Sequence, residues 1–271
     1  MVDHNPPAER PAAFAASDGR SLAGILNHPP GDGPFPAVVL CHGFGSGKDS
    51  PINRRLAAVL GCHGVASLRF DFTGHGASAG DIAGLTVAGG AEQVAAALRY
   101  LEARSWVNRA ALGLAGHSFG GAVALRAAAA DRRARALLLL APVSDYVEVK
   151  TRKLGPASIR AWRERGYNEE DTEFGMVRLN YSFYADAAAH DTYALARDIA
   201  ATCLIIHGAD DQVVPLAQSR ALAAALGGRA ELTIVPGADH TLTGPQGQAN
   251  VVRDAARWLA DHMTYCTVPP P

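Results

Sequence analysis

The chain is poor in cysteine: Cys41, Cys62, Cys203 and Cys266 are the only four among 271 residues. Their spacing fits no disulfide framework, so reduced thiols are expected. The pairs Cys41-His42 and Cys62-His63 match no standard zinc spacing, and no metal or other cofactor is expected. There is no Lys/Arg block, and 25 basic against 26 acidic residues leave a formal net charge of −1. That composition offers no electrostatic footprint for nucleic acid or an anionic membrane, and neither is expected as a partner. Apolar runs are short, with Arg126 interrupting 122–130, and none reaches the roughly 18 residues of a membrane helix. The opening M-V-D-H-N-P-P-A-E-R-P lacks the charged and apolar regions of a secretory signal, so a cytoplasmic location is expected.

What the chain does have is apolar bulk. Nearly half the residues are hydrophobic (48%) and only 19% are charged, which suits a parallel sheet covered by helices on both faces. A D-G-R turn divides residues 12–28 into two strand-like segments, a candidate hairpin at the sheet edge. Strands and helices then alternate: strand 37–42, helix 52–62, strand 65–71, helix 88–104, strand 110–115, helix 119–130, strand 135–141. After a break come strand 202–207, helix 216–226, strand 231–236 and helix 247–262. This alternation predicts right-handed crossovers and a mostly parallel sheet of eight strands. Residues 145–198 interrupt it and read as a helical cap inserted into a core of residues 1–144 and 199–271.

Residues 116–120 read G-H-S-F-G between a strand and a helix of small residues. In that setting the motif is a nucleophile elbow, with Ser118 at its apex and glycines where a Cβ would clash. The plain alternative is an N-cap serine after a glycine turn. A serine hydroxyl becomes a useful nucleophile only with a base in reach and an acid orienting that base. Downstream, I-I-H-G-A-D-D-Q-V-V-P at 205–215 supplies Asp210 and Asp211 in one acidic turn after a strand. I-V-P-G-A-D-H at 234–240 ends in His240, the histidine that follows the last strand after the acid. The order Ser, Asp, His is the one this elbow predicts. Two backbone N–H groups must also hold the oxyanion. Phe119, just after the nucleophile, is one candidate, and Phe44, in the A-V-V-L-C-H-G-F-G-S-G segment at 37–47, is the other. All four segments follow strand C-termini, where ligands bind in open α/β sheets.

With these segments the chain resembles the α/β-hydrolase superfamily from about residue 12 to 262. It looks most like small bacterial feruloyl or cinnamoyl esterases and the related serine aminopeptidase and acylglycerol lipase group. The matching residues are His42 to Gly45, Arg69 to Gly76, the elbow, His207-Gly208 with Asp211 and Val214-Pro215, and Gly237 to His240. The H-G-x-x-D spacing of that resemblance selects Asp211 over Asp210. It implies a serine carboxylester hydrolase acting through an acyl-enzyme on small to medium acyl or aryl esters. Its activity should rise with pH as the histidine base becomes neutral, around the reference pKa of about 6.5.

Three other readings stand beside it. A peptidase or amidase would use the same triad, though a chain without room for the large N-terminal propeller of oligopeptidase relatives would admit only small peptides. A dienelactone hydrolase would carry cysteine where this chain has Ser118. A non-catalytic binding protein on this fold would be expected to lack a triad residue, and none is lacking here.

Five of the seven tyrosines, Tyr146, Tyr167, Tyr181, Tyr184 and Tyr193, fall in the insertion, with Trp162, Phe174 and Phe183. Tyr146, Trp162, Tyr181 and Tyr184 are candidates for an acyl or aryl pocket. The same aromatics would serve as anchors docking a small helical subdomain on the core. His42 and His207, each before a glycine at a strand end, read as ring nitrogens bonding loop backbone, and Asp71 as a carboxylate fixing its loop.

Overall fold

The computed structural model describes residues 7–172 and 174–264. The chain opens on an antiparallel hairpin, β1 (Ala8–Ala15) and β2 (Ser21–His28). Then follow β3 (Phe35–Cys41), α1 (Pro51–Cys62), β4 (Ala66–Phe70), α2 (Val87–Glu102), β5 (Val107–His117), α3 (Phe119–Ala130) and β6 (Ala134–Leu140). The segment that breaks the alternation contains α4 (Tyr146–Arg165), β7 (Tyr167–Thr172), β8 (Gly175–Asn180), α5 (Ser182–Ala188) and α6 (Thr192–Ala196). The chain returns through β9 (Thr202–Gly208), α7 (Leu216–Leu226), β10 (Ala230–Val235) and α8 (Gln248–Thr264).

Eight strands form one sheet in the order β1-β2-β4-β3-β5-β6-β9-β10. β2 runs antiparallel to β1 and β4, and every other neighbouring pair is parallel. The central strands are apolar at consecutive positions because both faces are covered. Along β3, Ala37, Val39 and Cys41 enter one hydrophobic cluster while Val38 and Leu40 enter the other. β6 divides in the same way, with Leu137 and Leu139 on one side and Leu138 and Leu140 on the other. Helices α1 and α8 close the second cluster through residues such as Leu56, Leu60, Val252 and Leu259. Helices α2, α3 and α7 close the first through Val94, Leu98, Val123 and Leu222.

Local chemistry sets the helix starts. Ser50 accepts a hydrogen bond from the N–H of Asn53 and Pro51 occupies the first turn of α1, an arrangement that satisfies one orphan donor and presets φ. Thr86 caps α2 through Gly89, and Asp145 caps α4 through Glu148.

The insertion differs from the helical cap expected of it, because an antiparallel hairpin, β7 with β8, lies between α4 and α5. Gly166 ends α4 with φ +85° and Gly175 turns the hairpin with φ +92°. The hairpin escapes a sequence search because the inward residue of β7 is Glu170, 3% exposed, rather than a hydrophobe. Glu170 is paired with Lys150 of α4 at 2.6 Å and with Lys153 at 2.8 Å. A buried pair of this kind leaves a costly unpaired charge if either partner is removed. Trp162 is fully buried beneath it, donating its indole N–H to the carbonyl of Leu179 at 2.9 Å.

Cys41 and Cys203 are buried free thiols and Cys62 is an exposed one, whereas Cys266 lies outside the described residues. No helix among the described residues is long and apolar enough to cross a membrane.

Candidate active site

The turn from β5 into α3 is so tight that only glycine fits on either side of Ser118. A Cβ on Gly116 would lie 2.1 Å from the carbonyl oxygen of Gly120, and one on Gly120 would lie 2.2 Å from that of Cys41. Ser118 itself is held at φ 54°, ψ −113°, a strained conformation for a residue with a Cβ, costing on the order of 1–3 kcal/mol. Its backbone is fixed by Ser118 N–H to Leu140 O at 2.9 Å and by Val143 N–H to Ser118 O at 3.3 Å. Although Ser118 sits at the N-cap of α3, its side chain makes no capping bond. The hydroxyl instead donates to Nε2 of His240 at 2.9 Å.

The Nδ1–H of His240 donates to Oδ2 of Asp211 at 2.7 Å. Asp211 is the acid brought to the histidine, while Asp210, its neighbour in the turn, is exposed. The Asp211 carboxylate is saturated with donors. Oδ1 accepts the N–H groups of Val213 and Val214 at 2.8 and 2.9 Å. Oδ2 lies 3.2 Å from Nε2 of His207 as well. Burial works to raise its pKa, but the bonds from His207, His240 and the backbone outweigh this and hold it well below the ordinary carboxylate value. The group therefore stays ionised beside the imidazole.

His207 is fully buried, with Nε2 facing both Asp211 and the carbonyl of Val214 at 3.1 Å. Two acceptors at Nε2 put the proton there, so Nδ1 accepts from the Ser219 hydroxyl at 2.7 Å. Its place before a glycine at a strand end predicts backbone contacts alone for His207. Its contact with Asp211 four residues on is not legible in the sequence, because the i,i+4 closeness arises from the turn after β9.

His117 occupies the variable position of the elbow motif. Its Nε2–H donates to the backbone carbonyl of His240 at 2.9 Å, tying the elbow to the loop that carries the histidine. Burial, and then the neighbouring His240, push the His117 imidazole down to about 4, so near neutrality it bonds as an uncharged ring. Two buried histidines brace the loop after β3. His42 donates from Nδ1 to Gly43 O at 2.8 Å and accepts from Phe72 N–H at 3.0 Å. His75 accepts from Gly45 N–H at 3.3 Å. Asp71 holds the same loop by accepting from the N–H and Nζ of Lys48, at 2.7 and 2.8 Å.

That loop carries Phe44, which lines a cavity of about 770 Å³ together with Ser118 and His240. Phe119 begins α3, and the N–H of a first helical residue has no acceptor within its own helix. The cavity runs from Ser118 between the start of α1, at Ser50 and Arg55, and the start of α8, at Gln248.

Trp162, Tyr146, Tyr181 and Tyr184 do not line this cavity, a correction to the pocket expected of them. Their rings pack on one another and on Phe119 and Phe183, and Tyr146 also borders a separate cavity of about 260 Å³. Trp162 lies 5.9 Å, centroid to centroid, from each of Tyr181 and Tyr184. Tyr146 packs on Phe183 at 4.9 Å and on Phe119 at 6.4 Å. The insertion nevertheless reaches the loop of Phe44: Thr172, at the hairpin tip, packs so closely that a Cβ on Gly45 would lie 2.6 Å from it.

The Peptidase_S9 family model, the prolyl oligopeptidase family, matches residues 76–265. The 2,6-dihydropseudooxynicotine hydrolase of Paenarthrobacter nicotinovorans is 30% identical over 217 residues, covering 77% of this chain and 53% of that protein. Est1E from Butyrivibrio proteoclasticus, solved with ferulic acid bound, superposes with a TM-score of 0.76 at 24% identity, over 93% of this chain and 99% of that one. The α/β hydrolase GrgF from Penicillium sp. sh18 gives a TM-score of 0.77 at 24% identity, over 95% and 100% of the two chains. At these identities the two structures establish the fold.

Proposed function

The chain belongs to the prolyl oligopeptidase family and is a hydrolase of the α/β-hydrolase type, and on that premise we propose that it is a serine carboxylester hydrolase working through an acyl-enzyme on Ser118. The observation that carries this reading is the continuous chain from Ser118 Oγ to His240 Nε2 at 2.9 Å and from His240 Nδ1 to Asp211 at 2.7 Å.

In the proposed first step the Ser118 proton passes to His240 Nε2 while Oγ bonds to the ester carbonyl carbon. The N–H groups of Phe44 and Phe119 hold the oxyanion. The bond from carbon to the alcohol oxygen then breaks, and His240 returns its proton to that oxygen. In the second step water gives a proton to His240 and attacks the acyl carbon, and Ser118 leaves with the proton restored as the free carboxylic acid departs. Asp211, already ionised, keeps the His240 proton on Nδ1 and stabilises the imidazolium without accepting the proton. The substrates fitting this scheme are small to medium acyl or aryl esters, in keeping with the ferulic acid bound to Est1E.

The experiment is hydrolysis of p-nitrophenyl esters and labelling by a fluorophosphonate, in the native protein and in Ser118→Ala. We expect turnover and labelling in the native protein and neither in the variant, with an unchanged fold. Labelling retained by Ser118→Ala would place the nucleophile elsewhere. The family match favours a second reading, cleavage of small peptides or amides by the same three residues. Faster turnover of aminoacyl anilides than of the esters would decide for it.

A further inference from the structure

The cavity at Ser118 has an uneven distribution of charge. Among the described residues, the formally charged one in its wall apart from its histidines is Arg55, and no described carboxylate lines it. Arg55 projects from α1 and donates from Nη1 to Oε1 of Gln248, at the start of α8. Gln248 in turn donates from Nε2 to the carbonyl of Thr241 at 2.6 Å, immediately after the triad histidine. The guanidinium is thus positioned by a neutral amide.

Carboxylates near in sequence are engaged elsewhere. Asp49 pairs with the buried Arg69 and with Lys48 at 3.6 Å. Asp239 Oδ1 accepts from the N–H groups of Thr241 and Thr243 at 2.8 and 2.9 Å. The Thr241 hydroxyl also donates to Asp239 at 2.8 Å. Among the described residues no carboxylate forms an ion pair with Arg55. A guanidinium with one N–H given to an amide keeps its charge and further N–H donors free to attract an anionic group.

The side of the substrate follows from the chemistry. His240 must return a proton to the leaving alcohol oxygen, so the alcohol portion departs beside His240. The Arg55 end of the cavity is hung on the loop that continues from His240 through Thr241 to Gln248. We propose that Arg55 is a specificity-determining residue that selects esters bearing an anionic group, a carboxylate, on the alcohol portion. This rests on the ester reading above.

The test compares 4-acetoxybenzoate, anionic on its alcohol side, with its neutral methyl ester. The ratio of their kcat/KM values is measured in the native protein, Arg55→Gln and Arg55→Lys, with the thermal midpoint of each recorded. Comparing the ratio between proteins cancels the intrinsic difference between leaving groups. We expect Arg55→Gln to lower the anionic-to-neutral ratio roughly fivefold, the scale of a solvent-accessible ion pair. Arg55→Lys, which keeps the charge, should stay within about twofold of native, and added salt should lower the native ratio. An equal ratio in native and Arg55→Gln overturns the proposal. So does an equal loss in the Lys and Gln variants, which would make Arg55 a strut between α1 and α8. A ratio that responds only for monophenyl succinate against phenyl butyrate would put the anion on the acyl side and overturn the placement. Hydrolysis of neither acetoxybenzoate, alongside turnover of an anilide, would instead remove the ester reading and this inference with it.

Discussion

Nε2 of His207 lies 3.2 Å from Oδ2 of Asp211, the same oxygen that receives the Nδ1 proton of His240 at 2.7 Å. Two imidazoles therefore share one carboxylate oxygen, one fully buried and the other at the cavity wall. His207 and the Ser219 hydroxyl behind it fix the orientation of the acid, and their donation makes the carboxylate less attractive to the His240 proton.

Replacing His207 by Gln should consequently lower kcat about tenfold, the scale of one lost bond to a charged group. It should also move the acid limb of the pH–rate profile to higher pH, as a more basic Asp211 holds the His240 proton longer. Ser219→Ala should do the same more weakly. Steady-state kinetics from pH 5 to 9 would show both effects, and a fall in stability with an unmoved profile would reduce His207 to a packing residue.

Asp211→Asn removes the acceptor that selects the His240 tautomer, and kcat should fall by roughly 10⁴ with little change in KM. Asp210→Asn, at an exposed position, should leave kcat within about twofold. Measuring the two side by side assigns the acid, because the residues are adjacent and share one turn.

Gly120→Ala tests the elbow by sterics alone. The added Cβ would sit 2.2 Å from the Cys41 carbonyl oxygen, so β3 and the elbow would have to separate. A loss of stability of about 3 kcal/mol or more is expected, at the upper end of overpacking costs. A thermal melt of the purified variant is the check, and a native-like midpoint would contradict the spacing.

Acid should destabilise the protein before its carboxylates titrate. Burial, and secondarily the adjacent His75, push His42 down to about 3; burial, and secondarily His240, push His117 down to about 4. Both lie below the 6.5 of an unfolded histidine, so from about pH 6.5 downward the unfolded chain takes up protons that the folded chain refuses. Stability is then complete above pH 6.5 and falls as pH drops, by up to about 1.4 kcal/mol per pH unit for each histidine. Asp211, also held low, contributes stability that is lost only below the ordinary carboxylate range near 4. Thermal midpoints at pH 7, 6 and 5 should decline, and His117→Gln should flatten the decline.

Much of this site could be read from the chain because its signals are local. The elbow needs Gly116, Ser118 and Gly120 within five residues, the strands before Ser118 and Asp211 carry continuous apolar runs, and the strand before His240 alternates through Glu231 and Thr233 before ending on Ile234 and Val235. The insertion was harder to read. Its aromatics suggested a pocket, but Trp162 and its tyrosine neighbours fill a small core of their own, and β7 turns a glutamate inward where a strand search looks for a hydrophobe.

The amino-acid sequence by itself determined the sheet, the order of nucleophile, acid and base, and the sharpness of the turn at Ser118, since each depends on residues close together in the chain. Only the tertiary structure decided that His207 shares the oxygen of Asp211, and that Arg55 and Gln248, 193 residues apart, meet at one end of the cavity. The first meeting is made by the turn after β9; the second arises because α1 and α8 pack on the same face of the sheet, and no spacing along the chain encodes which polar side chains will then face each other.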